Sequence, residues 1–251
     1  MDIYSLEKLE ELYKNLLEKN AKIYMMKDIK QLDKGIILRH DLDSEIDSAL
    51  TVAQLEHQMG IKSTYYFLLT SYCYNLYSAR SQKIVAGIIE LGHEVGLHFD
   101  TSIYPERKIQ KEFQKEKHIL ESIIEQEVYS VSLHNPSNNN NYPFFDNVIN
   151  AYNWDLFSSN NYFSDSVFEF NSTVKEIVDE SNHNIVQLLL HPTLYCIRNK
   201  SEDPGIIYIS KVEIERFADR LMGPIIKHPR FKDEIEKYPQ SSFNVNVKLK
   251  D

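Results

Sequence analysis

Four short stretches of this 251-residue chain place ionisable side chains directly after apolar runs: Arg39-His40-Asp41-Leu42-Asp43, His98-Phe99-Asp100, His134-Asn135-Pro136 and His191-Pro192. With one residue between them, Asp41 and Asp43 can lean toward one mouth where a strand bends. Such a pair can divide labour, one carboxylate holding a cation and the other acting as general base. Taken alone, the pair is equally consistent with Asp43 or Ser44 capping a helix. His98 offers a neutral imidazole suited to Zn²⁺, and Asp100 is placed to ligate the ion or to orient the ring. His191 precedes Pro192, which fixes the exit of the chain, and a histidine there can protonate a leaving group. His134 reads in the same way, with a loop hydrogen bond as the alternative for both. By contrast, His57, His118, His183 and His228 lie in charged or loop contexts and are expected to face solvent. His93 precedes a strand and reads as a turn or packing contact.

The elements that must carry these residues follow from periodicity. Apolar residues at helical spacing predict helices over Leu6 to Asn20, Ser44 to Met59, Ser81 to Leu91, Glu106 to Gln126, Thr173 to Asn182 and about Lys211 to Met222. Strands are predicted at Gly35 to Leu38, Ser63 to Leu69, Val95 to Leu97, Val128 to Leu133 and Ile185 to Leu190, with short ones at Tyr152 to Phe157 and Tyr162-Phe163. Asn138 to Asn141 reads as a polar loop, and no internal repeat is visible. Strands alternating with helices imply an α/β fold with a mainly parallel sheet, open or closed as a barrel. In either form the carboxyl ends of the strands make the functional rim, and the four polar stretches all fall there. Tyr65, Tyr66 and Phe67 read as core, while Tyr142, Phe144, Phe145 and Trp154 lie near loops where an aromatic face can stack on a sugar.

Length and an apolar fraction of 42% suit one large domain over 1–251, with helical extensions over 1–30 and 200–251. The formal charge of −9 argues against a nucleic-acid partner. Neither a secretory leader nor an apolar run of membrane-spanning length is visible, and Cys73 and Cys196 show no disulfide or metal spacing. A cytoplasmic location is therefore expected; the sequence sets no oligomeric state.

Four segments together resemble the polysaccharide deacetylases: Leu38-Arg39-His40-Asp41-Leu42-Asp43, Gly92-His93-Glu94-Val95-Gly96-Leu97-His98, Leu133-His134-Asn135-Pro136 and Leu188-Leu189-Leu190-His191-Pro192. More narrowly, the chain looks like the deacetylase-like proteins of bacterial surface-polysaccharide and lipopolysaccharide biosynthesis. The resemblance implies a distorted (β/α)7-type barrel, a divalent metal, Zn²⁺ foremost, and removal of an acetyl group from an N-acetylated sugar or glycan. It assigns Asp41 as catalytic base, Asp43 and His98 as metal ligands and His191 as general acid. The family's second metal histidine comes four residues after the first, where this chain has Ser102. Asp100 and His134 are the candidates to complete the shell. His134-Asn135-Pro136 also lacks the family's arginine beside the catalytic aspartate, which leaves Arg39 as a source of that charge. Two alternatives stand beside this reading: a non-catalytic glycan-binding or scaffold protein on the same barrel, and a metal hydrolase of a non-sugar amide, cyclic imide or phosphoester.

Overall fold

The structure, a computed structural model, describes residues 4–153, 156–158, 160–166 and 173–196. The helix expected near 211–222, the extension over 200–251, Trp154 and His228 lie outside these residues. In chain order the elements are α1 (Leu6–Glu18), β1 (Ile23–Tyr24), β2 (Gly35–Leu42), α2 (Asp47–Gln58), β3 (Thr64–Leu68), α3 (Ala79–Glu90), β4 (Glu94–Phe99), α4 (Ile109–Ile124), β5 (Ser130–Leu133), α5 (Pro136–Asn139), β6 (Ile149–Asn150), β7 (Tyr162–Ser164), α6 (Val174–Ser181), β8 (Ile185–Leu190) and α7 (Pro192–Cys196).

Local chemistry starts and stops these elements. The Ser5 side chain accepts from the Lys8 N–H at the head of α1, whose Leu9, Tyr13 and Leu16 form the buried face. Thr173 and Glu176 make a reciprocal capping box on α6. The expected start of α2 at Ser44 moves to Asp47, because the Glu45 carboxylate accepts from the Asp47 and Ser48 backbone N–H groups. Residues 138–139, expected in a loop, finish the single turn of α5, which Pro136 opens. The N-terminal region is not wholly helical, since β1 adds a strand beside β2.

Among the described residues all strand pairings are parallel, and the sheet runs β6-β5-β4-β3-β2-β8-β7 with β1 on β2. Among the described residues β6 and β7 form no ladder with each other, yet the sheet curls until its two edges meet around shared side chains. The Arg39 guanidinium of β2 lies 5.9 Å from the Tyr66 ring centre on β3, 5.0 Å from Tyr152 just after β6 and 5.9 Å from Tyr162 on β7. The Gln187 amide of β8 donates to the carbonyls of Ala151 and Leu156. The architecture is thus an α/β, distorted (β/α)7-type barrel. Its seam is bridged by side chains.

One apolar core lies between the sheet and α2, α3 and α4, and a second joins α1, α6 and α7 to β2 and β8. The barrel interior is partly polar: Arg39, Thr64, Glu94, Ser130, Ser132 and Gln187 are all buried. Gly96 makes this packing fit, because a Cβ there would stand 2.4 Å from the Tyr66 ring. Without one, Tyr66 crosses β4 and donates to Ser130 Oγ at 2.9 Å. Among the described residues no helix is long and apolar enough to cross a membrane.

Candidate active site

Strand β2 runs through Leu42, past the expected end at Leu38, because Arg39 and Asp41 point into the barrel and His40 is buried against Glu56 of α2. Arg39 and Asp41, two residues apart, share the inner face. Arg39 Nη1 donates to Ser132 Oγ and lies 3.3 Å from Asp41 Oδ2, and Ser132 Oγ donates to the same carboxylate oxygen at 2.9 Å. Asp41 is 4% exposed and is oriented from two sides. Arg39 thus stands where the sequence placed a charge for Asp41.

Three donors from three strand ends converge beside it. Asp43 Oδ1 lies 3.0 Å from His98 Nε2 and 3.1 Å from His134 Nδ1, and the two ring nitrogens are 3.2 Å apart. These edges are close to the ~3.3 Å expected between donors of a tetrahedral Zn²⁺ site with bonds near 2.0–2.1 Å. His98 Nδ1 donates to the Ser132 carbonyl at 3.2 Å, the outer-shell bond that fixes the tautomer of a ligating histidine. With Nδ1 on the Ser132 carbonyl, Nε2 is the ring atom that faces the Asp43 carboxylate oxygen. Nitrogen and oxygen donors in this arrangement fit a divalent metal.

Burial raises the Asp43 carboxyl pKa, but hydrogen bonds from His134 and His98 and the charges of His98 and His191 outweigh it and hold Asp43 well below its ordinary range. Burial lowers His134, and the bond to Asp43 with the charges of Asp43, Asp100 and Asp41 reverses the sign, so its pKa is raised.

His191 occupies the opposite wall. Its Nδ1 meets Asp165 Oδ1 at 2.6 Å, and its backbone N–H donates to Asp165 Oδ2 at 2.9 Å. The other ring nitrogen lies 3.9 Å from Asp43 Oδ2 and faces the cavity. Burial lowers the His191 pKa, and the fully buried Asp165 more than compensates, lifting it to about 9. Asp41, Asp43, His98, His134 and His191 line one cavity of about 330 Å³, with Tyr142, Tyr152, Phe157 and Tyr162 among its walls.

The structure sorts the sequence-derived candidates. His134 joins the cluster because β4 and β5 stay paired past Leu133, with the His134 N–H on the Phe99 carbonyl at 2.9 Å. Asp100 turns elsewhere: β4 stops at Phe99, and Asp100 Oδ1 accepts from the Ser102 N–H at 2.8 Å and Ser102 Oγ at 2.6 Å. Among the described residues only Asp43, His98 and His134 form such a cluster. Phe145 is core, stacked on Phe113 at 3.9 Å, whereas Phe144 is largely exposed. His93 is a packing residue, its Nε2 at 3.1 Å from the Ala53 carbonyl, and His57, His118 and His183 are exposed. Sequence reasoning missed Ser132 and Asp165. Both carry a sequence signal: Ser132 shares its strand face with His134, and Asp165 follows Tyr162-Phe163-Ser164 at a strand end.

No family model and no curated protein matches the sequence. Similar solved structures include a family 4 carbohydrate esterase from Bacillus anthracis, 16% identical with a TM-score of 0.42, the match covering 83% of this chain and 86% of that one. Another is the peptidoglycan deacetylase PdaC from Bacillus subtilis, 15% identical with a TM-score of 0.41, covering 82% and 98% respectively. A wild-type CE4 family pseudoenzyme from Bacillus anthracis is 13% identical with a TM-score of 0.44, covering 75% of this chain and 62% of that one. The chain spans less than two-thirds of the pseudoenzyme's length.

Proposed function

We propose that this protein is a metal-dependent deacetylase that hydrolyses the acetamide of an N-acetylated sugar unit in a surface polysaccharide or its precursor. The observation that carries this reading is the placement of one three-donor cluster between an oriented carboxylate, Asp41, and an oriented imidazole, His191, in a single cavity. Asp43, His98 and His134 would hold the ion, with Zn²⁺ suited to two nitrogens and one oxygen. When bound, such an ion polarises a carbonyl and makes water a better nucleophile. Asp41, fixed by Arg39 and Ser132, takes the proton of the attacking water. His191, held by Asp165 through Nδ1, presents its other nitrogen and delivers a proton to the departing amine. Tyr142, Tyr152, Phe157 and Tyr162 offer faces for a sugar ring, and Leu133 and Leu189 give apolar contact for the acetyl methyl. Ser102 at the family's second histidine position favours a non-catalytic reading only while the shell lacks a ligand, and His134 supplies one.

The test is acetate release by the Zn²⁺-reconstituted full-length protein from N-acetylglucosamine oligomers, nucleotide sugars and lipid-linked glycans. Turnover abolished by chelation and restored by added metal is the expected result. Protein with stoichiometric metal that releases no acetate from any of them overturns the reading, and sugar binding unaffected by chelation would establish the binding protein instead.

A further inference from the structure

His40 stands between the inward-facing Arg39 and Asp41 but points out of the barrel, and it takes no part in the cavity wall. It is fully buried. Its Nε2 lies 2.7 Å from Glu56 Oε1, and its Nδ1 lies 3.1 Å from the Leu190 carbonyl oxygen. Each ring nitrogen thus lies within hydrogen-bonding distance of an oxygen. Glu56, on α2, also accepts from Tyr13 Oη of α1 at 2.6 Å, from Ser63 Oγ at 2.6 Å and from Tyr65 Oη of β3 at 2.7 Å. The Tyr65 ring stacks on His40 with centres 4.6 Å apart. Two helices and a strand therefore hold this imidazole.

The second bond of His40 falls where it affects the reaction. The β2–β8 register ends at the pair His40↔Leu190. The next residue on one strand is Asp41, and the next on the other is His191. The bond from His40 to the Leu190 carbonyl is thus a side-chain rung at the point where the ladder stops, one residue short of both proton-transfer groups. A buried ion pair contributes little net stability compared with apolar residues of the same volume. A fixed spacing between acid and base has more leverage, because a ~1 Å misplacement of catalytic groups costs on the order of 100-fold in rate.

We propose, resting on the deacetylase reading above, that His40 is a positioning residue: anchored on Glu56 and bonded to the Leu190 carbonyl, it sets the separation of Asp41 and His191. Two amide substitutions test this in full-length, metal-reconstituted protein. An asparagine amide nitrogen overlays histidine Nδ1 and a glutamine amide nitrogen overlays Nε2, so H40N keeps the rung to Leu190 while H40Q keeps the link to Glu56. H40Q is expected to lower kcat per folded molecule by ~30–100-fold with KM and metal content unchanged. H40N is expected to lose several-fold less kcat despite the lower Tm that follows from leaving Glu56 short of a donor. A merely structural role predicts that kcat follows Tm, with H40N the worse enzyme; that order, or wild-type kcat in both variants, overturns the proposal. Should H40Q fail to fold, H40N decides alone, and a loss of ~30-fold or more with the Leu190 bond intact in its crystal structure overturns the proposal. If the wild type deacetylates nothing, the functional reading falls while the positioning claim stays measurable. Crystal structures must then show the Asp41–His191 separation shifted by about 1 Å in H40Q and kept in H40N, and an unchanged separation in H40Q overturns it.

Discussion

The two faces of β2 use polar side chains in opposite ways. Inward, Arg39 and Asp41 meet Ser132, Asp41 opens onto a cavity, and polar atoms are left over: among the described residues, the buried Arg39 Nε and Nη2 and Gln187 Oε1 find no hydrogen-bond partner. Outward, one residue away, His40 reaches a carboxylate whose two oxygens are filled by four close donors. A saturated buried network fixes a structure, whereas an unsaturated one flanks chemistry. Substitutions on the inner face should therefore remove function and leave the fold, whereas loss of the Glu56 carboxylate behind the outer face should chiefly cost stability.

The largest effect belongs to the inner face. Asp41→Asn is expected to cost ~10²–10⁴-fold in acetate release, the range for losing a general base, with metal content unchanged and a fall in Tm smaller than that of Glu56→Gln. An equal fall in Tm would break the contrast. Next comes the cluster: His134→Ala should weaken metal binding, measured by chelator competition, by more than the ~10–100-fold typical of outer-shell changes. Asp100→Ala, whose carboxylate serves Ser102, should leave the affinity in place.

On the outer face Glu56→Gln should cost about 3–5 kcal/mol in urea unfolding, as expected for breaking a buried pair. Burial raises the Glu56 pKa, but the charge and hydrogen bond of His40 and further donors pull it down to about 2. A depressed carboxyl stabilises the fold above its unfolded pKa, and that contribution disappears as pH falls from about 4.5 through about 2. The substitution should flatten stability across this acid window.

Glu116 sharpens the comparison with the smallest effect and the opposite sign. It is also buried, yet among the described residues it receives one bond, from Tyr104 Oη at 2.7 Å, and its Oε2 finds no partner. Burial lifts its pKa to about 7. Its favourable contribution is complete below pH 4.5 and is lost as pH rises through about 7. Glu116→Gln should then be more stable than wild type at pH 8 by on the order of 2 kcal/mol, with no gain at pH 4.

Much of the barrel was legible because its outer layer obeys simple periodicity. The failures cluster where the barrel turns polar side chains inward. β2 passes through Arg39 and Asp41, and β4 begins at the buried Glu94, so a rule that ends strands at charge stops too early. β6, two residues long, is held by pairing to β5 and has no pattern of its own. At the site, Asp41, Asp43, His98 and His191 were visible as strand-end residues, and the reach of one ladder brings His134, not Asp100, beside Asp43 and His98. Asp165 needed only the same rule applied to a three-residue strand. Glu56 had a signal too: it continues the buried face of Ala49, Val52 and Ala53, where an unpaired carboxylate is unaffordable.

The three cluster donors sit on separate strands, 55 and 36 residues apart along the chain. An unfolded chain presents no such trio, so a cation held there favours the folded state alone. Linkage then makes each tenfold excess of free ion over its dissociation constant worth about 1.4 kcal/mol. The melting temperature, followed across a panel of divalent ions, becomes an assay of the site's preference that needs no substrate.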